Sequence, residues 1–292
     1  MRLNLDSAPA DIYLKLENLQ PIGSFKIRGA ANRMLSMQPS ELSRGVWTAS
    51  AGNMAQGVAW CARRLGVPCS VVAPETAAET KLAAIRRLGA NVVSVPFAEW
   101  LQCFELREHP QMDGLFIHAF DDPLVMAGNG TIGLEVVEDL PNADAIVIPY
   151  GGGGLTCGIA SAIRALRPAT KVYAVEVDTA TPLRAALAAG KPVDTDYTPS
   201  WVDGIGAPTV FQDMFLLARR LVDGALTVEL REVADAIRVL ADRNHVIAEG
   251  AGAAPVAAAL SGTAGTGNVV AVVSGGNIDP AKLATILLGK TP

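Results

Sequence analysis

The sequence has few of the residues from which metal sites, disulfide frameworks and nucleic-acid interfaces are built. Among its 292 residues there are four cysteines and three histidines, and no two cysteines have the CxxC spacing of a zinc or redox site. We therefore expect free thiols, as in a cytoplasmic protein, and no metal site. A net charge of −5 without any run of lysine or arginine argues against nucleic acid as a partner.

Long apolar runs are missing as well. No stretch approaches the length of a membrane-spanning helix, and the first residues lack the basic segment and apolar core of a signal peptide. We therefore expect no membrane partner and a cytoplasmic location. The chain is nevertheless 50% hydrophobic and only 18% charged, which is enough for a large core in one large or two modest domains.

Short apolar runs alternate with helical patterns along most of the chain. Residues 91–95, 115–120 and 171–177 are predicted strands, and residues 143–149 are apolar throughout, as in a strand buried on both faces. The intervening segments carry apolar residues at helical spacing, and residues 29–37 are predicted to be helical. This alternation predicts an α/β fold of parallel βαβ units.

A lysine at position 26 lies between a Gly-Ser turn and an apolar run that is compatible with a helix. Burial lowers the pKa of a lysine, and an amine of near-neutral pKa is the nucleophile that a Schiff base requires. Taken alone, the motif favours a solvated surface lysine, because lysines are seldom buried. Three later stretches favour the chemical interpretation, at residues 49–53, 151–154 and 274–277.

Four consecutive glycines at residues 151–154 follow a predicted buried strand and precede a predicted helix. Consecutive glycines allow backbone N–H groups to converge on a phosphate, and the dipole of the following helix adds to the attraction. The loop has neither the GxGxxG spacing of a dinucleotide site nor a Walker lysine, and a flexible turn is the alternative. Because ligands of open α/β sheets bind beyond the carboxyl ends of strands, we predict a phosphate site here.

The other two stretches also follow predicted strands. Ser-Ala-Gly-Asn at residues 50–53 opens a predicted helix, so that its N–H groups point outward, although taken alone this turn favours an ordinary N-cap. Ser274 ends the last buried strand and precedes two glycines, where a capping serine fits the residues equally well.

In this order, Gly-Ser-Phe-Lys-Ile-Arg-Gly, Ala-Ser-Ala-Gly-Asn, the four glycines and Ser-Gly-Gly-Asn resemble the fold-type-II pyridoxal-phosphate enzymes. Within them the chain is similar to the threonine/serine dehydratase (ammonia-lyase) and serine racemase family, from about Tyr13 to about Leu288. The resemblance implies a tryptophan synthase β-like fold with two parallel-sheet, three-layer domains. The smaller domain, residues 41–123, would be inserted in the larger one, residues 1–40 and 124–292. It also implies pyridoxal 5'-phosphate as cofactor and a homodimer.

The resemblance assigns roles to individual residues as well. Lys26 would hold the cofactor covalently and act as the catalytic residue, and Phe25 would lie against the cofactor ring. Asn53 would bond to the ring oxygen, Ser274 to the pyridine nitrogen, and the backbone of Gly204 would approach the cofactor. The phosphate cup would comprise Gly151, Gly152, Gly153, Gly154 and Leu155, and the substrate carboxylate would bind at Ser50, Ala51, Gly52 and Asn53. Without the resemblance, Phe25 is a core residue and Gly204 a turn residue.

The activity implied is that of an L-threonine/L-serine dehydratase, which acts on a small-molecule amino acid and yields a 2-oxoacid and ammonia. The alternatives are a serine racemase, another hydroxy amino acid lyase such as 3-hydroxyaspartate dehydratase, a cysteine-synthase-like β-replacement enzyme, and a non-catalytic phosphate- or metabolite-binding protein. The racemases of the family carry a serine where this chain has Ala51. Because a methyl group cannot return a proton to the second face of the substrate, we expect dehydration rather than racemisation.

Two further expectations follow from departures of this chain from its family. In racemase-like members a glutamate and an aspartate six residues later help to bind a divalent cation. This chain has Glu176 but carries Pro182 in place of the aspartate, so we expect no metal. Because no regulatory domain follows the catalytic body before Pro292, we do not expect feedback control by a C-terminal effector domain.

Overall fold

The computed structural model describes residues Met1–Pro292 as helices alternating with parallel strands. The strands are β1 (Asp11–Leu16), β2 (Val46–Ala49), β3 (Cys69–Pro74), β4 (Asn91–Val95), β5 (Leu115–Phe116), β6 (Ala145–Pro149), β7 (Lys171–Val177), β8 (Gly224–Val228) and β9 (Asn268–Val273). The helices are α1 (Lys26–Leu35), α2 (Pro39–Leu42), α3 (Asn53–Leu65), α4 (Glu79–Arg87), α5 (Phe97–Leu106), α6 (Pro123–Asp139), α7 (Gly154–Leu166), α8 (Pro182–Ala189), α9 (Gln212–Leu221), α10 (Leu230–Asn244), α11 (Gly250–Leu260) and α12 (Pro280–Leu287). A 3-10 helix covers Glu17–Leu19.

The strands form two sheets in which every neighbouring pair runs parallel. The larger sheet has the order β1-β9-β6-β7-β8 and the smaller has the order β4-β3-β2-β5. The predicted α/β class with two parallel sheets is therefore confirmed. No helix of the chain is both long and apolar enough to cross a membrane.

The chain divides into two compact units, one comprising Met1–Leu19 and Gly130–Pro292 and the other Gln20–Asn129. All strands of the smaller sheet lie within the residues predicted for the small domain, but the compact unit around that sheet also includes α1. The domain limits at residues 41–123 stay a prediction.

The larger unit is built on a sheet that is covered on both faces. All five residues of β6 are buried, as expected for a parallel strand with helices on either side. Helix α11 is alanine-rich and buried along nearly its whole length, and it packs against β6 and β9. A Cβ on Gly252 of α11 would lie 2.4 Å from the carbonyl oxygen of Gly275, so glycine lets the helix approach the turn that follows β9.

The smaller unit places α1 against α3. Ala30 and Met34 of α1 share a core with Val58 and Ala62 of α3, and all four are buried. A Cβ on Gly57 of α3 would lie 3.1 Å from the backbone carbonyl carbon of Lys26, so glycine at this position allows a close approach of the two helices. The packing fixes the first turn of α1 against the helix that begins at Asn53.

The predicted bounds are confirmed for strands 91–95 and 171–177, whereas three elements differ from prediction. The strand predicted over residues 143–149 begins at Ala145. Helix α1 begins at Lys26 rather than at residue 29, which places the lysine in its first turn. The strand predicted over residues 115–120 pairs only over Leu115–Phe116, because the chain then turns around the side chain of His118.

Candidate active site

Lys26 is the first residue of α1, and its side-chain amine has two contacts within the smaller unit. The residue is half-buried, and its Nζ donates a hydrogen bond to the carbonyl oxygen of Ala119 at 2.8 Å. The same Nζ lies 5.0 Å from the centroid of the Phe25 ring, within the range of a cation–π contact. The amine is therefore directed by a backbone carbonyl and by an aromatic face.

The predicted carboxylate-binding turn follows β2 and opens α3. Ser50 Oγ accepts a hydrogen bond from the backbone N–H of Gly52 at 3.1 Å, which tightens the turn. The N-cap residue of α3 is Gly52, which has no side chain to cap the helix, and the first turn of α3 contains no acidic residue. A Cβ on Gly52 would meet no atom within 4 Å, so the turn faces open space. A positive helix end of this kind favours an anion.

His118 follows β5, the neighbour of β2 in the smaller sheet. Its Nδ1 accepts hydrogen bonds from the backbone N–H groups of Phe120 at 3.2 Å and Asp121 at 2.8 Å, and its Nε2 lies 3.3 Å from the carbonyl oxygen of Phe104. Burial lowers the pKa of His118 to about 4, and the nearby positive charge of Arg107 acts in the same direction. The ring is therefore neutral at pH 7. No local sequence pattern marks His118 or the Ala119 carbonyl as part of a site.

The four-glycine loop connects β6 to α7 in the larger unit. Gly153 has φ +91°, a left-handed conformation that favours glycine, and neither a side-chain cap nor an acidic residue occupies the start of α7. A Cβ on Gly151 would lie 3.0 Å from the carbonyl oxygen of Gly204. The structure thus places the backbone of Gly204 beside Gly151 of the predicted phosphate loop. Both residues are predicted to lie close to the cofactor.

A tyrosine hydroxyl lies against the same loop. Tyr150 directly precedes the glycines and is 3% exposed, and its hydroxyl has no hydrogen-bond partner within the chain. Burial holds the pKa of Tyr150 well above its usual value, so the hydroxyl keeps its proton. A Cβ on Gly153 would lie 2.9 Å from this hydroxyl and 3.0 Å from Cε of Met214. The loop therefore rests on a buried proton donor.

We expect the substitution Gly153→Ala to lower the free energy of unfolding by about 2 to 3 kcal/mol, because it adds left-handed backbone strain to a collision with Tyr150 and Met214. Gly190→Ala is the matched control, since Gly190 has φ +72° but no atom within 4 Å of an added Cβ. Its expected loss is about 1 kcal/mol. Urea unfolding of both variants measures the difference, and equal losses would show that the loop has room for a methyl group.

Ser274 lies directly after β9, next to β6 in the larger sheet. It is 2% exposed. Because β6 and β9 are parallel neighbours, Ser274 and the glycine loop both follow carboxyl ends of adjacent strands. The positions of both therefore agree with the prediction that they serve one ligand, although their contacts to that ligand stay a prediction.

Glu176, the glutamate that the resemblance to racemases associates with a divalent cation, forms hydrogen bonds inside this chain. Its two carboxylate oxygens accept hydrogen bonds from the backbone N–H groups of Leu183 at 2.7 Å and Arg184 at 2.9 Å, at the start of α8. Burial raises the pKa of Glu176 to about 7, while these two hydrogen bonds act in the opposite direction. Pro182 is the first residue of α8, so the position where an aspartate would stand begins the helix instead.

Known proteins match nearly the whole chain. A family model described as pyridoxal-phosphate dependent enzyme matches residues 2–275. The L-threonine ammonia-lyase of Geobacter sulfurreducens is 45% identical over 284 aligned residues, which cover 94% of this chain and 69% of that protein.

Two solved structures have a similar fold. Threonine deaminase isoform 2 from Solanum lycopersicum, in its processed form, superposes with a TM-score of 0.87 at 36% identity, covering 95% of this chain and 82% of that one. Maize serine racemase has a TM-score of 0.87 at 29% identity, covering 96% and 87%. These matches confirm the fold type and the cofactor expected from the sequence, and the chain belongs to the family of pyridoxal-phosphate dependent enzymes.

Proposed function

We propose that this chain is an L-threonine/L-serine ammonia-lyase that depends on pyridoxal 5'-phosphate. The observation that carries the proposal is Lys26, a half-buried lysine whose Nζ is held by the Ala119 carbonyl at 2.8 Å in a chain of this family. The relative from Geobacter sulfurreducens bears the name of the proposed activity. The substrate is accordingly a small hydroxy amino acid.

The residues present fit the cofactor in three respects. The glycine loop offers a helix N-terminus without a side-chain cap, which suits a phosphate. The Tyr150 hydroxyl beside it is a buried donor without a partner in the chain, and such a group calls for a ligand or an ordered water. Lys26 supplies a partly buried amine for the covalent bond. We propose that Gly151–Leu155 hold the phosphate and that Lys26 carries the cofactor through Nζ.

The remaining roles follow the same assignment. When bound, pyridoxal phosphate supplies an electron sink for the carbanion at the substrate Cα. The turn at residues 50–53 would bind the substrate carboxylate at the start of α3, and Asn53 would bond to the ring oxygen of the cofactor. Ser274 would bond to the pyridine nitrogen, Phe25 would lie against the ring, and the backbone of Gly204 would approach it. A hydroxyl at Ser274 would leave the nitrogen uncharged, which would favour elimination.

Lys26 moves the proton in the chemical step. As a free amine, its Nζ takes the proton from the substrate Cα, and the Cα electron pair forms the double bond to Cβ. The bond between Cβ and the hydroxyl oxygen breaks, and the hydroxyl leaves as water. The proton that it takes up balances the one that Nζ removed from Cα, so no net proton is gained or lost. The released enamine rearranges to an imine, which one water hydrolyses to the 2-oxoacid and ammonia. Threonine thus gives 2-oxobutanoate and serine gives pyruvate.

Ala51 separates dehydration from racemisation in this proposal. Inversion needs an acid/base group on each face of the substrate carbanion, and Lys26 serves one face only. The side chain of Ala51 is a methyl group in the substrate turn, so no proton is returned on the second face. A racemase is the second candidate function, because maize serine racemase shares the fold at 29% identity.

We expect the purified protein to release ammonia and 2-oxoacid from L-serine and L-threonine without forming D-serine. Chiral chromatography of the remaining serine, alongside an assay of the oxoacid, distinguishes elimination from inversion. Ala51→Ser is expected to add measurable conversion of L-serine to D-serine, because it places a hydroxyl where the racemases of the family have one. Rapid formation of D-serine by the unmodified protein would overturn the assignment.

Location and assembly complete the proposal. All four cysteines are free, and three of them are buried, which suits a reducing compartment and supports a cytoplasmic location. We also propose a homodimer, by analogy with the family. Sedimentation of the purified protein measures its oligomeric state.

A further inference from the structure

We propose that His118 is a positioning residue for Lys26, because its imidazole orients the peptide group whose carbonyl receives the lysine amine. The inference rests on the role proposed for Lys26 but concerns a different residue. His118 acts through the peptide group that joins Ala119 to Phe120.

The two ends of this peptide group carry the inference. The Ala119 carbonyl oxygen accepts from Lys26 Nζ at 2.8 Å, and the Phe120 N–H donates to His118 Nδ1 at 3.2 Å. The chain contains no cis peptide bond, and in a planar trans peptide the C=O and N–H bonds point in opposite directions. A ring that holds the N–H on one side therefore directs the carbonyl toward the lysine on the other.

The ring is well fixed for this task. Neutral His118 carries its proton on Nε2, which donates to the Phe104 carbonyl at 3.3 Å, so Nδ1 keeps the lone pair that the backbone N–H groups require. The ring stands edge-on to three phenylalanines, with centroid distances of 5.5 Å to Phe104, 5.7 Å to Phe116 and 4.5 Å to Phe120. The side chain is 1% exposed. Its position is thus determined by packing as well as by hydrogen bonds.

The chain on either side of this peptide is anchored by other groups. Before it, the backbone N–H of Ile117 donates to the Trp47 carbonyl at 2.8 Å, and Thr48 Oγ1 donates to the Ile117 carbonyl at 2.8 Å. After it, the Asp122 carboxylate accepts from Arg33 Nε at 2.8 Å. The histidine ring therefore determines the orientation of the Ala119–Phe120 peptide group, which lies between these two anchored segments.

His109 offers a matched control in the same unit. It is also a buried histidine, and its Nδ1 accepts the backbone N–H of Gln111, two residues on, at 3.2 Å. Its Nε2 lies 2.8 Å from Oε1 of Glu99, and none of its hydrogen bonds leads to the lysine. The two histidines thus share a local hydrogen bond and differ in what it orients.

The test compares four variants of the cofactor-free protein, H118F, H118N, H109F and H109N. Phenylalanine keeps a ring against the aromatic neighbours and removes the acceptor. Asparagine restores an acceptor for the N–H two residues on, as in an Asx turn. The readout is the rate at which an acetylating reagent modifies Lys26 at pH 8, followed by mass spectrometry of its peptide. This readout needs neither cofactor nor turnover, so it is independent of the proposed activity.

We expect Lys26 to react about tenfold faster in H118F than in the unmodified protein, the change that corresponds to one lost hydrogen bond to a charged group. H118N, H109F and H109N should react within about twofold of the unmodified protein, because each keeps an acceptor at residue 118. An unchanged rate in folded H118F, or a tenfold rise in folded H118N, would overturn the proposal. If H118F does not fold, H118L, which also lacks an acceptor, takes its place and has the same two outcomes.

Discussion

Lys26→Ala is expected to reduce the release of ammonia and 2-oxoacid by at least about 10³-fold, because one residue supplies both the covalent attachment and the base. The covalent bond between protein and cofactor should be lost completely. Binding of the cofactor phosphate should survive in part, since the glycine loop between β6 and α7 does not include the lysine. Borohydride reduction followed by mass spectrometry of the Lys26 peptide measures the first effect, and equilibrium dialysis of the cofactor measures the second.

Two further variants test whether the effect of Lys26→Ala comes from the loss of the amine, from the loss of a positive charge, or from the loss of a partly buried lysine. Lys26→Arg keeps the positive charge but cannot act as an amine nucleophile, so it should be as inactive as the alanine variant. Lys15 is the control, since it is another partly buried lysine, paired with Glu135 at 2.5 Å. Lys15→Ala should lose some stability and keep its turnover within about threefold. Turnover by purified Lys26→Ala at the rate of the unmodified protein would remove the lysine from the mechanism.

Ser274→Asp is expected to lower kcat/KM for dehydration by at least about 10²-fold, because it places a carboxylate where a hydroxyl is proposed to face the pyridine nitrogen. The carboxylate would keep that nitrogen protonated and change the ionisation on which elimination depends. Ser274 is 2% exposed, so the new charge also loses its hydration. Steady-state kinetics and the absorbance spectrum of the bound cofactor are the measurements.

Thr170→Asp controls for burial alone. Thr170 is 6% exposed and donates to the Ala143 carbonyl at 2.8 Å, but it precedes β7 and so lies at the amino end of the strand. It should lose stability without a comparable loss of kcat/KM in the folded fraction. If Ser274→Asp keeps the kinetics and the spectrum of the unmodified protein, Ser274 does not face the ring.

Local sequence signals predicted the sheets and their strands well. The apolar run of β6 and the bounds of β4 and β7 could be identified because apolar residues recur along each strand, although only Val95 of β4 is fully buried. The strand predicted over residues 115–120 ends early, since the hydrogen bonds of Phe120 and Asp121 go to His118 rather than to a neighbouring strand. A ring of this kind competes with the sheet through a contact that the strand pattern does not reveal.

Some parts of the candidate site could be predicted from local sequence, and others could not. The glycine loop, the turn at residues 50–53 and Lys26 could be predicted because their chemistry depends on residue type at short spacing. The Ala119 carbonyl could not, because every residue has a carbonyl and only the fold brings this one to Lys26. The backbone N–H groups that donate to the Glu176 carboxylate belong to α8, seven and eight residues later in the chain, and no sequence motif predicts these hydrogen bonds.

This chain is expected to remove water and ammonia from a hydroxy amino acid. The most direct test supplies purified protein with pyridoxal phosphate and L-threonine, and quantifies ammonia and 2-oxobutanoate in the same samples over time. We expect the two products to appear in a one-to-one ratio, and to be absent without the cofactor. Consumption of threonine without 2-oxobutanoate, or no consumption of threonine or serine by folded protein loaded with cofactor, would contradict the account.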